Sequence, residues 1–243
     1  MDNSTQESAI ENLQILPNGC FNIGLLIGKG ATVKFKEKSY ELEQGIYLCS
    51  QATQPVELTL LEYSKVILIQ LHTWYFSYYS ENDFNYFTDD ISKSESDKQL
   101  FGEKIILNSS SILEDAIAIT KKHISVFTEE NILQNIVEQV AVKILSQKGD
   151  GKISDIVKEY EYSEKWIQTK FKKATGLTPK QFAKIIQFRD SVDKIAYQDD
   201  SLTSIGYEAG FNDQSHFIKN FRHFTGTSPS KFNPKNFVLS FKK

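Results

Sequence analysis

The last ninety or so residues carry one pattern twice, fifty positions apart: Ile167, Phe171, Gly176, Pro179 and Phe182 recur as Phe217, Phe221, Gly226, Pro229 and Phe232. In each copy apolar residues fall at i, i+4 and i+7, first as Ile167, Phe171 and Ala174, then as Phe217, Phe221 and Phe224. That is the spacing of one buried helical face. A glycine just past the helix and a proline soon after it are the ordinary signals for stopping one helix and starting the next. The C-terminal part of the chain is therefore expected to be all-helical, with two equivalent short helices at about Glu164–Thr175 and Gln214–Thr225. Each follows a shorter helix, Ile153–Tyr160 in the first copy and Ser201–Ala209 in the second. Gly210 is the turn residue of the second copy, and Asn212 or Asp213 its cap. A helix from Pro179 to about Tyr197 links the copies; about 17 residues at ~1.5 Å each span roughly 26 Å. Pro229–Phe232 starts a short final helix, and the tail after Pro234 is expected to be loosely held.

The faces opposite the apolar stripes are polar and basic: Glu164, Lys165, Gln168 and Thr169 in the first copy, Gln214, Ser215, Ile218 and Lys219 in the second. Gln can pair with an adenine edge, Lys with guanine O6 and N7, and Ile with a thymine methyl. Lys172, Lys173, Arg222 and His223 fall late on their helices, where phosphate contact is expected. His216 is read as a packing or phosphate-side residue rather than a base reader, and Trp166 as either core edge or contact. A helix that buries one side and offers such a face outward suits the DNA major groove, with the preceding helix crossing the backbone. Two such units on one face of a duplex with a pitch of ~34 Å would read successive turns, with some bending of the DNA.

Charge divides in the same way. Residues 1–130 hold 10 Lys and Arg against 19 Asp and Glu, a balance of −9, whereas residues 131–243 hold 18 against 12, a balance of +6. The basic half calls for a polyanionic partner. No apolar run reaches the ~18 residues of a membrane span. The start of the chain is acidic and polar, so a cytoplasmic location is expected.

The N-terminal half reads as strands: Cys20–Ile27, Ala31–Phe35, Gly45–Cys49, Val56–Leu61 and Lys65–Leu71, separated by Pro17-Asn18-Gly19, Gly28-Lys29-Gly30 and Gln54-Pro55. The fold class is thus α+β, a small β-barrel or sandwich-like domain over residues 1–126 followed by an all-α domain over residues 127–243. Helices are expected at Ile112 to Ile124 and at Glu129–Gln147, the second capped by Thr128. Residues 89–99 read as a polar loop. The aromatics between Trp74 and Phe87 are taken as core or interface.

Gly210-Phe211-Asn212-Asp213-Gln214-Ser215-His216-Phe217, followed by Phe221, Gly226, Ser228-Pro229 and Phe232, resembles the signature of the AraC/XylS family of bacterial transcription regulators. The likeness covers about residues 131–234 and is looser in the first copy. Thr169 and Lys219 stand where that family often has Arg, and Asn233 where Arg is common, so base preference does not carry over at those positions. The resemblance implies a sequence-specific regulator that binds double-stranded DNA. Its N-terminal half would sense a small-molecule effector, form a homodimer, or both, and it would meet RNA polymerase if it is an activator. Leu16-Pro17-Asn18-Gly19 and the strands after it look like a sensor domain of such regulators.

No cofactor or catalytic residue is expected. A metal site is not expected either, since His72 and His123 stand about fifty residues apart on different elements. Two contrasting readings are a DNA-repair enzyme with a reactive cysteine fused to the same domain, and a non-specific architectural protein. Cys20 and Cys49, the only cysteines, lack a Cys, His or basic neighbour that would activate a thiolate, and are expected to be free thiols in strands.

Overall fold

A computed structural model describes residues 1–78, 83–93, 114, 116, 117, 135–197, 202–211 and 213–238. Cys20–Ile27 (β3) organises the N-terminal half. Its alternation sends Ile23, Leu25 and Ile27 to one face, against Ile46, Ile69 and Ala116, and Leu26 to the other, against Val33, Leu58 and Val66. It is therefore buried on both sides, which explains why it reads as a nearly continuous apolar run. β3 lies in a five-stranded antiparallel sheet with Asp2–Asn3 (β1), Ser64–His72 (β8), Gly45–Cys49 (β6) and Ile91–Lys93 (β9), in the order β1-β8-β3-β6-β9.

A second five-stranded sheet faces it: Phe237–Val238 (β10), Ile10–Ile15 (β2), Val56–Leu60 (β7), Ala31–Lys34 (β4) and Ser39–Leu42 (β5), in the order β10-β2-β7-β4-β5. The two sheets pack as a sandwich rather than closing into a barrel.

β2 and β5 are absent from the sequence-based strands because neither carries a clear apolar run. β2 is interrupted by a bulge between Ile10 and Leu13 with Asn12 at φ 58°, and β5 is Ser-Tyr-Glu-Leu on an edge. The tail expectation needs correcting. Phe237–Val238 pairs in parallel with Gln14–Ile15, and the Phe237 ring lies 4.7 Å from Phe232. The tail is tied to the edge of the sandwich because β2 would otherwise present unpaired backbone groups there.

The first helix of the helical half whose bounds lie within the described residues is Ile136–Ser146 (α1). Its cap is Asn135, whose side chain accepts from Val137 N and Glu138 N. The expected Thr128 cap is not the start of this helix, since Asn135 satisfies the orphan amides seven residues later. The expected helix at Ile112–Ile124 and the 126/127 boundary fall largely outside the described residues, although 114, 116 and 117 are helical. Then come Ile153–Val157 (α2), Glu164–Thr175 (α3), Pro179–Tyr197 (α4), Leu202–Glu208 (α5) and Gln214–Thr225 (α6). Pro229–Lys231 and Pro234–Asn236 form single 3₁₀ turns.

α4 is the spine. Its fully buried Phe182 packs on Phe171 of α3 with centroids 5.8 Å apart, and Phe188 packs on Phe221 and Phe224 of α6 at 5.6 and 4.7 Å. Truncating one such ring costs about 3–5 kcal/mol.

The sandwich docks onto this spine. Leu16 and Trp74 belong to the helical core, both less than a tenth exposed. Arg189 of α4 donates to Asn18 O at 3.5 Å, Asn135 to Ser77 Oγ at 2.7 Å, and Tyr78 to the Glu138 carboxylate. Burial and the neighbouring Glu138 push the Tyr78 phenol well above its ordinary value, so it stays a donor. The Trp74–Phe87 aromatics divide between core and interface: Tyr75, Phe76 and Phe84 pack with Phe21, and Tyr78 packs on the helical core.

Gly19 shows how tight this contact is. It holds φ +74°, and a Cβ there would stand 2.8 Å from Phe182 Cε2 and 3.1 Å from Ile186 Cδ1. Gly19→Ala should therefore lower stability in urea unfolding by about 1–3 kcal/mol. An unchanged midpoint would contradict this docking of sandwich on spine.

Candidate nucleic-acid interface

The two short helices repeat in detail. Ser163 caps α3 by accepting from Trp166 N at 3.3 Å, and Asp213 caps α6 by accepting from His216 N at 2.7 Å. Each carboxylate or hydroxyl satisfies an amide that the helix cannot bond internally. At the other end Gly176 and Gly226 take φ +81° and +72°, and their amides donate to Lys172 O and Arg222 O at 2.8 and 2.9 Å. The repeat also includes a residue pair that the sequence reading did not single out. Thr175 Oγ1 bonds Phe171 O, Leu177 O and Leu177 N, and Thr225 Oγ1 bonds Phe221 O, Thr227 O and Thr227 N. A buried hydroxyl with three backbone partners locks both helix ends in the same turn. The signal was present, since the two threonines also stand fifty positions apart.

The buried sides are those the sequence indicated. Ile167, Phe171, Phe217 and Phe221 are each at most 1% exposed, and Phe211 is 3% exposed. Gly210 takes φ +79° and sits so close to Asp150 that a Cβ would overlap its carboxylate at 2.0 Å. These residues hold the turn and the core. Outward lie Glu164, Lys165 and Thr169 on α3, and Gln214, Ser215, Lys219 and Arg222 on α6, all exposed, with Gln168 and Ile218 half-buried. Lys173 and His223 are exposed and Lys172 half-buried near the helix ends, and exposed Lys170 adds a cation that the sequence reading omitted.

Two of the expected readers are bonded within their own helix: Gln168 donates to Glu164 Oε1 at 2.9 Å and Thr169 to Lys165 O at 2.9 Å. Among the described residues Lys165, Lys172, Lys173, Lys219 and Arg222 make no ion pair, whereas Lys143, Lys158 and Lys194 do. Unpaired cations on the outward sides of both helices suit a polyanion, whose bound counterions they release.

Two open assignments take positions here. The His216 ring is exposed, lies edge-on to Phe211 at 5.6 Å and lines a groove together with Lys219 and His223 of α6, Lys184 of α4 and Thr53 of the sandwich. Trp166 is 41% exposed and stacked on Tyr162 at 4.2 Å, so it is not core.

The copies differ in what surrounds them. A Cβ on Gly226 would meet nothing within 4 Å, but on Gly176 it would stand 3.0 Å from Thr88 Oγ1 and 3.1 Å from Phe84 O and Phe87 O. Phe84 N donates to Lys173 O at 2.8 Å and Thr88 Oγ1 to Gly176 O at 3.2 Å, so a sandwich segment covers the end of the first reading helix alone.

Among the described residues no group of three His, Cys, Asp or Glu is placed to hold a metal, and no helix is long and apolar enough to cross a membrane. Cys20 and Cys49 are free thiols. Burial pushes Cys49 up to about 12 and also raises Cys20, against a smaller opposing effect of Arg189. At pH 8 Cys49 is then almost wholly protonated and a poor nucleophile. Iodoacetamide should therefore label it far more slowly in the native chain than in the urea-unfolded chain, and equal rates would reopen thiol chemistry.

Comparison with known proteins agrees with this geometry. Residues 133–235 match the helix-turn-helix domain family. A stretch of 97 residues is 32% identical to the Msm operon regulatory protein of Streptococcus mutans, covering 40% of this chain and 35% of that protein. Another of 75 residues is 27% identical to the HTH-type transcriptional activator RhaS of Klebsiella pneumoniae, covering 31% and 27%. The chain thus matches about a third of the length of these curated relatives. Among solved structures, ToxT from Vibrio cholerae O395 superposes over 97% of both chains with a TM-score of 0.50 at 15% identity. ToxT bound to (E)-4-(8-methylnaphthalen-1-yl)but-3-enoic acid superposes over 92% of this chain and 95% of that one, with a TM-score of 0.52 at 17% identity. At such identities the likeness is one of fold: two sheets followed by helices.

Proposed function

We propose that this chain, which carries the AraC-type helix-turn-helix domain of the AraC/XylS family at residues 133–235, is a transcription regulator that reads two successive major-groove segments of its operator. The observation that carries this reading is the repetition of cap, core and C-terminal turn in α3 and α6, with different polar groups on the two outward faces. A scaffold built twice with its outward residues changed is what sequence reading requires, and what mere adhesion to phosphates does not.

α6 is the better-equipped reader. Gln214, Ser215, Ile218 and Lys219 offer donors, an acceptor and an apolar contact without a carboxylate on that face. In α3, Glu164 and Lys165 extend the readout, and Gln168 and Thr169 must exchange their internal bonds for base edges. Lys172, Lys173, Arg222, His223 and His216 hold phosphates.

The sandwich is the sensor in this reading. It encloses an apolar cavity of about 100 Å³ between its sheets, and the acid-bound ToxT structure of the same fold supports a small-molecule role for it. Leu16 and Asn18 line that cavity and also meet the helical half, Leu16 in its core and Asn18 through Arg189. Occupancy therefore has a short physical route to the spine that spaces the readers. Dimerisation through the N-terminal half, contact with RNA polymerase where the protein activates, and action in the cytoplasm belong to the same proposal. The upward shift of both thiols works against the repair-enzyme reading.

Competition between an operator fragment recovered from genomic DNA and random duplex at matched salt tests the proposal, and equal affinity would sink it. Lys219→Ala and Gln168→Ala should each weaken specific binding by about 1–3 kcal/mol and random binding by much less. A uniform loss on all sequences would reassign both to phosphates.

A further inference from the structure

The cavity between the sheets has a chemistry of its own. Its twenty lining residues include no Asp, Glu, Lys, Arg or His. Most of the wall is aliphatic or aromatic, contributed by the inward faces of both sheets.

The polar residues gather at one end. Asn22 of β3 pairs in register with Gln70 of β8 on one side and Cys49 of β6 on the other, and Asn18 and Ser50 follow on the same rim. Asn22 donates to Cys20 O at 3.3 Å and Asn18 Oδ1 accepts from Cys20 N at 2.9 Å. Among the described residues the Gln70 amide and the Asn22 carbonyl oxygen make no hydrogen bond. That end thus offers both a donor and an acceptor, and both are neutral.

Cations lie outside the wall. Arg189 donates to the Asn18 carbonyl but does not line the space. Beyond the opposite end, where Tyr47 and Ile91 are shared with an outer groove, Lys29 is paired with Glu62 at 2.7 Å and Lys93 with Glu43 at 3.8 Å.

We propose that this cavity takes a small neutral effector, an apolar body with one uncharged hydrogen-bonding head such as an alcohol, ketone or amide, held head-first against Asn22 and Gln70. The inference rests on the reading of the sandwich as a sensor. Asn22 is half-buried and Gln70 exposed at the mouth, so an ionised carboxylate there keeps part of its water but meets no partner charge among the lining residues, and drawn further in it would lose the rest. A neutral head loses far less and recovers it from two amides. Size narrows the class further. A cavity of about 150 Å³ accepts benzene, so about 100 Å³ suits a chain of about four to five carbons and is too small for an aromatic ring. The head then lies beside Asn18, next to the contact with α4, where its arrival is felt by the spine.

Gly24 supplies the control. It lines the cavity, is not held at positive φ, and a Cβ there would make only ordinary contacts, 3.6 Å to Leu68 Cδ2 and 3.9 Å to Tyr47 Cβ. Gly24→Leu should therefore fold and fill the space.

The test uses the full chain at pH 7.5, with 1-butanol against butanoate and 1-pentanol against pentanoate, read by calorimetric titration and thermal shift. The expected result is saturable binding of at least one alcohol, with its carboxylate partner weaker by about tenfold or more. Asn22→Ala should weaken the alcohol by about five- to tenfold, and Gly24→Leu should abolish its binding. A carboxylate that binds as tightly as its alcohol overturns the neutral class while leaving the sensor reading intact. If no probe binds, and Gly24→Leu raises the melting temperature without changing DNA affinity, the cavity is a packing gap and both readings fall.

Discussion

The structure depends on one buried seam, the phenylalanines of α4. Phe182 holds α3 and Phe188 holds α6, and the two stand on the same rigid helix. Close packing makes such a seam stiff, so the spacing of the two reading helices is set by covalent rise along α4 and not by loops. The sandwich uses the same seam from the other side, with Gly19 against Phe182 and Ile186 and Leu16 within the helical core. One ring, Phe182, therefore touches both the first reader and the cavity-bearing domain.

This shared seam gives a physical reason for the inequality of the two copies. The C-terminal turn of α6 is free around Gly226, whereas that of α3 is covered by the Phe84–Thr88 segment, which bonds Lys173 O and Gly176 O. That segment leads into Asp89 and Asp90, whose carboxylates accept from Thr53 and Tyr40, and into Ile91 at the cavity wall. In the proposed function the first copy answers to DNA on one side, and its C-terminal turn meets the sandwich on the other. Its looser likeness to the family signature is consistent with that double demand; the C-terminal turn of the second copy carries no such cover.

Most of the helical half was legible in the sequence because local and tertiary demands agree there. Ser163, Asp213, Gly176 and Gly226 bound helices whose apolar faces have the right period, and α3, α4 and α6 fall where those signals put them. Where a strand is held mainly by its neighbours the sequence was silent. β2 carries a bulge, β5 is polar and β10 is two residues long, so none has a periodic signature. The cap at Asn135 was missed although its bonds to Val137 N and Glu138 N are local, because Thr128 offers an equivalent cap residue earlier in the sequence. Outward positions on the readers followed from helical geometry, but the internal bonds of Gln168 and Thr169 depend on rotamers that spacing does not fix. The neutral wall of the cavity was equally invisible, since Asn18, Asn22, Ser50 and Gln70 meet only through strand register.

The central claim is that α3 and α6, spaced by α4, engage the same duplex together. Hydroxyl-radical footprinting of the wild-type chain on a fragment that it selects from genomic DNA tests this most directly. The account predicts two protected patches on one face of the duplex, about one helical turn, roughly 10 base pairs, apart. A single patch, or uniform protection along the fragment, would contradict it.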